Sequence, residues 1–156
     1  MSGVFINIDL SGLSKLNRTM ETFGRKIKDR RALNLALATT LRERTRKRFE
    51  TKKTPEGKEW TSPLVQSGDL RGKLLIDANE QIAKVGSNLV YAAIHQFGGI
   101  IKAKKGKALM FTVGNRTLFR RKVTIKANPY LGISEQDETA LADTVKVYAE
   151  EALKDD

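Results

Sequence analysis

The apolar residues of this chain change their spacing partway along it, and that change limits the folds it can adopt. Up to Phe49 they recur at helical spacing, whereas from Leu74 to Ala127 they alternate with polar residues. The first pattern lines one face of a helix, and the second lines one face of a strand. Helical spacing returns after Ser134. We therefore expect an α+β fold with extended loops, in which a small antiparallel β-sheet or partial barrel packs against a long N-terminal helix and a C-terminal helix.

The same patterns predict the individual elements. Strands are predicted over Val4 to Ile8, over a hairpin from Leu74 to Gly86 that turns at Asp77 to Glu80, and over 108–113 and 122–127 on either side of a turn at Gly114 and Asn115. Helices are predicted along Leu13, Leu16, Met20 and Phe23, along Ala32, Leu33, Ala36, Leu37, Thr40, Leu41, Thr45 and Phe49, and along Ala140, Leu141, Val145, Tyr148 and Ala152. Ser11 and Asp29 are the predicted N-caps of the first two helices. Ser134 and Asp137 have the spacing of a capping box for the third helix.

Length and composition predict one domain, residues 1–156, that stays in solution. A chain of 156 residues can bury a single core. It has no cysteine, and no apolar run approaches the roughly 18 residues that span a bilayer. Its N-terminus lacks the basic and apolar regions of a signal peptide. The domain is predicted to be unexported, without membrane contact, and to carry arm-like loops at about 51–63 and 100–108.

The distribution of charge is strongly uneven along the chain. Residues 135–156 carry eight acidic and two basic side chains, whereas residues 1–134 carry 27 basic and ten acidic ones. Basic residues concentrate at 42–53 and at 102–126, and such patches are typical of surfaces that bind nucleic acid or an acidic protein. A solvated helix face with a mobile loop is the alternative. The predicted contacts with DNA or a partner are Arg42, Arg44, Arg46, Lys47, Arg48, Lys102, Lys104, Lys105 and Lys107.

The only histidine, His95 in "YAAIHQFGG", has no partners for catalysis. The chain has no cysteine, and neither a Gly-rich phosphate loop nor a closely spaced carboxylate pair accompanies His95, so neither an enzyme nor a metal or cofactor site is predicted. His95 is instead interpreted as part of a turn. Tyr91, Ile94 and Phe97 are expected to pack inward while His95 hydrogen-bonds a backbone group. Gly98 and Gly99 are expected to reverse the chain with positive φ.

Four short motifs give the chain a resemblance to a known family. They are "PEGKEW" with Pro55, Gly57 and Trp60; Ser67, Gly68 and Leu70; the block from Val85 to Gly99; and "NPYLG" from Asn128 to Gly132. In this order and spacing the chain resembles the phage virion morphogenesis (tail completion) proteins of contractile-tailed phages such as Mu. It departs from the family pattern at Asn128, where arginine is usual.

The resemblance implies a non-enzymatic part of the virion, in the neck or at the tail end, that assembles in the host cytoplasm. It implies a homo-oligomeric ring, expected to be hexameric, that contacts other neck, portal-adaptor or tail proteins. The opposite charges of the two chain regions fit the heterologous contacts of a ring. The alternative is a basic nucleic-acid-binding protein, and the two overlap because a neck ring surrounds genomic DNA. The predicted interface or structural residues are Trp60, Tyr91, His95, Phe97, Gly98, Gly99, Pro129, Tyr130, Leu131 and Gly132.

Overall fold

The computed structural model describes residues 4–7, 13–61, 68–113 and 115–154. Its elements in chain order are β1 (Val4–Asn7), α1 (Ser14–Phe23), a 3₁₀ turn (Gly24–Lys26), α2 (Arg30–Thr51), α3 (Asp69–Gly72), β2 (Leu75–Ala78), β3 (Ala83–Ser87), α4 (Ala92–Phe97), β4 (Gly99–Lys102), β5 (Leu109–Val113), β6 (Arg116–Arg120), β7 (Lys122–Ile125) and α5 (Glu135–Lys154). The protein therefore has the expected α+β fold. The predicted Ile8, Ser11, Ser67 and Gly114, and residues 62–63, lie outside the described residues.

The long helix α2 is the centre of the fold. It begins at Arg30, where the Oδ1 atom of Asp29 accepts a hydrogen bond from the backbone N–H of Ala32 at 2.9 Å, as the predicted N-cap requires. It ends at Thr51, and the next residue, Lys52, takes the left-handed conformation with φ 55°. One side of α2 packs on β2 and β3, and another packs on α5. Its buried residues are Leu33, Leu37, Ala38, Leu41, Thr45, Arg48 and Phe49.

The sheet beside α2 contains three antiparallel strands in the order β1-β3-β2. The predicted hairpin of β2 and β3 is confirmed, and its turn lies slightly later than expected, where Asn79 Oδ1 accepts from the N–H groups of Gln81 and Ile82 at 2.8 Å. Ala83 and Val85 are buried on the same face of β3, as their alternation predicts. The sheet thus presents its apolar face to the helices.

The C-terminal helix α5 is tied to the N-terminal helix α1. The predicted capping box is confirmed, because Asp137 N–H donates to Ser134 Oγ at 3.1 Å and Ser134 N–H donates to Asp137 Oδ2 at 2.9 Å. Glu138 Oε1 accepts from the N–H groups of Lys15 at 2.7 Å and Leu16 at 3.2 Å. A carboxylate of α5 therefore caps the first turn of α1, whose N-cap position, Leu13, provides no side-chain cap.

Residues 99–126 form a separate β-ribbon, which we call the basic arm. The strand predictions for β5 and β7 are confirmed, but these two strands do not pair with each other across the predicted turn. The strand β5 pairs with β6 from Leu109 opposite Arg120 to Val113 opposite Arg116, and β7 pairs with β4. The segment "RTLFR", which forms β6, is not among the predicted strands because its apolar residues are flanked by arginines. The expected loop at 100–108 begins with the strand β4, so only 103–108 connects strands.

Candidate assembly interface

The "YAAIHQFGG" and "NPYLG" motifs lie together, joined by the side chain of Gln96. The Oε1 atom of Gln96 accepts hydrogen bonds from the N–H groups of Tyr130 at 3.1 Å and Leu131 at 3.0 Å. Its Nε2 atom donates to the carbonyl of Leu131 at 3.0 Å. This buried amide satisfies a stretch of irregular backbone that pairs with none of the described strands. Gln96 is not among the residues predicted from the sequence, because an amide beside a lone histidine gives no signal of its own.

Tyr130 is a core residue and not a surface contact. Its side chain is 0% exposed, and its hydroxyl donates to the carbonyl of Ala92 at 3.1 Å. Burial raises the pKa of this phenol well above its ordinary value. The ring packs near that of Phe49, with centroids 5.4 Å apart. Of the two roles predicted for Tyr130 and its buried neighbour Leu131, interface or structural, their burial fits the structural role inside the subunit.

Trp60 packs against Phe49 as well, beside Tyr130. Its Nε1–H donates to the carbonyl of Pro129 at 3.2 Å, and its ring meets Phe49 edge to face at a centroid distance of 5.2 Å. Asn128 Oδ1 accepts from the N–H of Thr61 at 2.8 Å. Asn128, which replaces the usual arginine of the family pattern, is thus a buried link between two motifs.

The segment before Trp60 folds back on the body of the protein. Lys53 and Glu59 form an isolated antiparallel bridge, with Gly57 in the left-handed region at φ 85°. Gly132 is needed beside it, because a Cβ there would lie 2.6 Å from Pro55 Cγ. Residues 51–61 are therefore held against the subunit in this structure. That this segment also reaches a neighbouring subunit stays a prediction.

The predicted turn at His95 is confirmed in its backbone and corrected in its side chains. Gly98 has φ 71° and Gly99 has φ 153°, and a Cβ on Gly98 would lie 2.8 Å from the backbone nitrogen of Ala127. Phe97, however, is 70% exposed instead of packed inward. His95 Nδ1 has no hydrogen-bond partner among the described residues, and burial lowers the pKa of His95. The ring of His95 meets Tyr91 edge to face at 5.8 Å.

Arg48 was predicted to contact DNA or a partner, but the structure places it inside the protein. Its side chain is 8% exposed and forms an ion pair with Asp137, which is 2% exposed. It also donates to the carbonyls of Tyr130 at 2.9 Å and Gly132 at 3.1 Å. Burial lowers the pKa of Arg48 to about 10, so it stays charged at neutral pH. Arg44 donates to the second oxygen of Asp137 at 2.8 Å.

The remaining predicted basic contacts divide between two surfaces. On α2, Lys47 is exposed, whereas Arg42 and Arg46 are half-buried and pair with Glu43 at 3.3 and 2.8 Å. On the basic arm the four predicted lysines, all exposed, are Lys102, Lys104, Lys105 and Lys107. The basic arm as a whole carries nine basic residues and no acidic one. It is the stronger of the two candidate contact surfaces.

The basic arm also exposes large apolar side chains. Met110 on β5 lies directly opposite Phe119 on β6, and these side chains are 71% and 60% exposed. Ile100 and Ile101 on β4 are 55% and 39% exposed. Adjacent exposed apolar groups on one ribbon are typical of a protein contact surface.

Nothing in the described part of the chain groups three or more metal-ligating side chains. None of its helices has the length and apolar character needed to cross a bilayer.

Comparison with known proteins identifies the family. The model of the phage virion morphogenesis family matches residues 12–150. The chain is 29% identical over 153 residues to "Mu-like prophage FluMu G protein 2" of Haemophilus influenzae, covering 96% of this chain and 99% of that protein. It is 24% identical over 159 residues to "Putative capsid assembly protein G" of Escherichia phage Mu, covering 90% and 92%. No solved structure matches this chain significantly. Because the family match spans most of its length, the chain belongs to the phage virion morphogenesis family.

Proposed function

We propose that this chain is a non-enzymatic structural subunit of the virion that acts in head-tail joining or tail completion, as part of a neck or tail-terminating ring. Family membership already gives it a role in virion assembly. The observation that carries the finer proposal is the presence, on one subunit, of a basic β-ribbon and an acidic helix face. Subunits of a ring meet through two different surfaces, and this pair is complementary.

The acidic surface lies on the exposed side of α5. Its exposed carboxylates include Glu135, Asp143, Glu150 and Glu151. Asp137 and Glu138 do not belong to this surface, because they serve the ion pair with Arg48 and the cap of α1. Attraction between this face and the nine basic residues of the basic arm would steer subunits into one relative orientation.

The proposal includes the partners and place of the ring. Six copies would form it, with neighbours among the neck, portal-adaptor or tail proteins, in the neck or at the tail end of the virion. Subunits would assemble in the host cytoplasm. Lys104, Lys105 and Lys107 lie in the 103–108 loop of the basic arm. They would also lie near genomic DNA if this loop faces the central channel of the ring.

Deletion of the gene from an inducible prophage tests the role. We expect filled heads and tails to accumulate without joining, or tails to lack a normal end, when lysates are viewed by negative-stain electron microscopy. A plasmid copy of the wild-type chain should restore joined particles. Normally joined, infectious particles in its absence would contradict the proposed role.

The basic-arm lysines favour nucleic-acid binding as a second candidate function. The same complementation assay separates the two, using Lys104, Lys105 and Lys107 changed together to glutamine. A DNA-binding protein with these changes would lose function. For the wild-type protein, the logarithm of its affinity for DNA would fall with the logarithm of salt concentration, with a slope of about 0.9 for each phosphate contacted. A ring subunit would retain most of its ability to restore particles, because six of the nine basic residues of the basic arm remain to attract the acidic face.

A further inference from the structure

We propose that the β5–β6 hairpin of one protomer docks in the groove between α2 and α5 of a second copy of this chain, with Met110 and Phe119 as its apolar contacts. This inference rests on the proposed function, because it names the two surfaces through which neighbouring ring subunits would meet.

The hairpin presents a compact apolar pair with arginines beside it. Met110 and Phe119 are directly opposite in the antiparallel register, so their Cβ atoms lie on the same face, about 5 Å apart. Arg120 and Arg121 follow Phe119 immediately, and both are exposed. A ribbon of two strands is narrow enough for long arginine side chains to reach past its edge.

The groove between α2 and α5 has the matching chemistry. Its volume is about 460 Å³, and its lining includes the small side chains of Ala36 on α2 and Ala140 on α5. Val147, which is 53% exposed, and Tyr148 supply further apolar surface. The exposed carboxylates Asp143 and Glu151 also line the groove. They lie eight residues apart on α5, or about 12 Å along the helix axis.

Charge complementarity identifies a second copy as the occupant. The hairpin brings arginines to a groove whose charged rim is acidic, and apolar groups to its apolar floor. The hairpin and the groove are different parts of the same protomer. Each protomer can therefore dock its hairpin on one neighbour and receive the hairpin of another in its groove. Repetition of this contact is heterologous, and it closes into a ring when the rotation between protomers allows.

Disulfide crosslinking tests the contact directly, because the natural chain contains no cysteine. Purified Phe119→Cys protein is mixed with Val147→Cys protein under mild oxidation, and crosslinked dimer is measured on a non-reducing gel. A disulfide needs Cβ atoms about 3.5–4.5 Å apart, so only docked surfaces react efficiently. Val90→Cys replaces the hairpin variant in one control, and Leu153→Cys replaces the groove variant in the other. All four positions are at least half exposed in the subunit.

We expect more mixed dimer from the Phe119→Cys and Val147→Cys pair than from either control pair. Changing Arg120 and Arg121 to glutamate in the hairpin variant should lower the yield about threefold to tenfold. Changing Asp143 and Glu151 to lysine in the groove variant should restore it. Equal yields from the control pairs, or no rescue by the reciprocal charge change, would overturn the inference.

The outcome for this contact is separable from that for the proposed function. Crosslinking uses purified protein and needs no phage. The result of gene deletion and rescue, in turn, does not depend on which surfaces of the subunits meet. If deletion leaves heads and tails unjoined but the crosslink is nonspecific, the docking site is wrong and the role stands. If duplex DNA competes away the crosslink and Arg120→Glu with Arg121→Glu abolishes DNA retention, nucleic acid is the occupant, and the inference is overturned.

Discussion

Asp137→Ala is expected to lower the free energy of unfolding by about 3–5 kcal/mol, because it leaves a buried arginine without its carboxylate. Arg48 is 8% exposed and Asp137 is 2% exposed, so both charged groups have lost most of their contact with water. The same substitution removes the acceptor for the N–H of Ser134 at the start of α5 and the partner of Arg44. One carboxylate thus holds α2, the "NPYLG" segment and α5 together.

Equilibrium unfolding in urea measures this effect, followed by circular dichroism and by the fluorescence of Trp60, the only tryptophan. Asp143→Ala is the matched control, since Asp143 is on the same helix and exposed. The control should change stability by no more than about 0.5 kcal/mol. Equal, small effects of both substitutions would mean that the ion pair of Arg48 and Asp137 does not hold the fold together.

Gln96→Leu is expected to lower the free energy of unfolding by about 3 kcal/mol or more. It leaves three buried backbone groups without hydrogen-bond partners, and each such group costs about 1–3 kcal/mol. These groups are the N–H of Tyr130 and both the N–H and the carbonyl of Leu131. Leucine is close in size to glutamine and apolar, so a position that only required volume would tolerate it. The decrease in the free energy of unfolding therefore measures the contribution of the hydrogen bonds made by Gln96.

Gln81→Leu serves as the control, because Gln81 is exposed in the β2–β3 turn and only its backbone N–H is bonded to Asn79. Its effect should stay within about 0.5 kcal/mol. Hydrogen exchange of the amides of Tyr130 and Leu131 gives a second readout, and both should exchange faster in Gln96→Leu. Unchanged protection would show that Gln96 does not hold this segment.

The features predicted well from the sequence are those decided by neighbours in the chain. The cap of α2 by Asp29 and the capping box of Ser134 and Asp137 depend on groups three residues apart. Positive φ at Gly98 and Gly99 likewise follows from local chemistry, since glycine adopts it without steric cost. Apolar spacing placed the buried face of α2 for the same reason.

The features missed depend on contacts between distant parts of the chain. A charged run on α2 suggested a solvated face, but Arg48 turns inward because Asp137, 89 residues later, compensates its charge. The pairing of β7 with β4 instead of β5 depends on β6 reversing the chain first. The sequence leaves the role of Tyr130 open between interface and structure, because an aromatic residue in a motif serves equally well as a core anchor.

The direct test of the central claim, that this chain is a ring subunit at the head-tail junction or tail end, is an electron cryomicroscopy average of the assembled particle viewed along the tail axis. Particles that carry a tagged copy of the chain identify its density. We expect a closed ring of identical subunits at the neck or tail end, with each basic arm reaching the α5 face of the next subunit. Absence of the chain from mature particles, or its distribution over the capsid shell, would contradict this account.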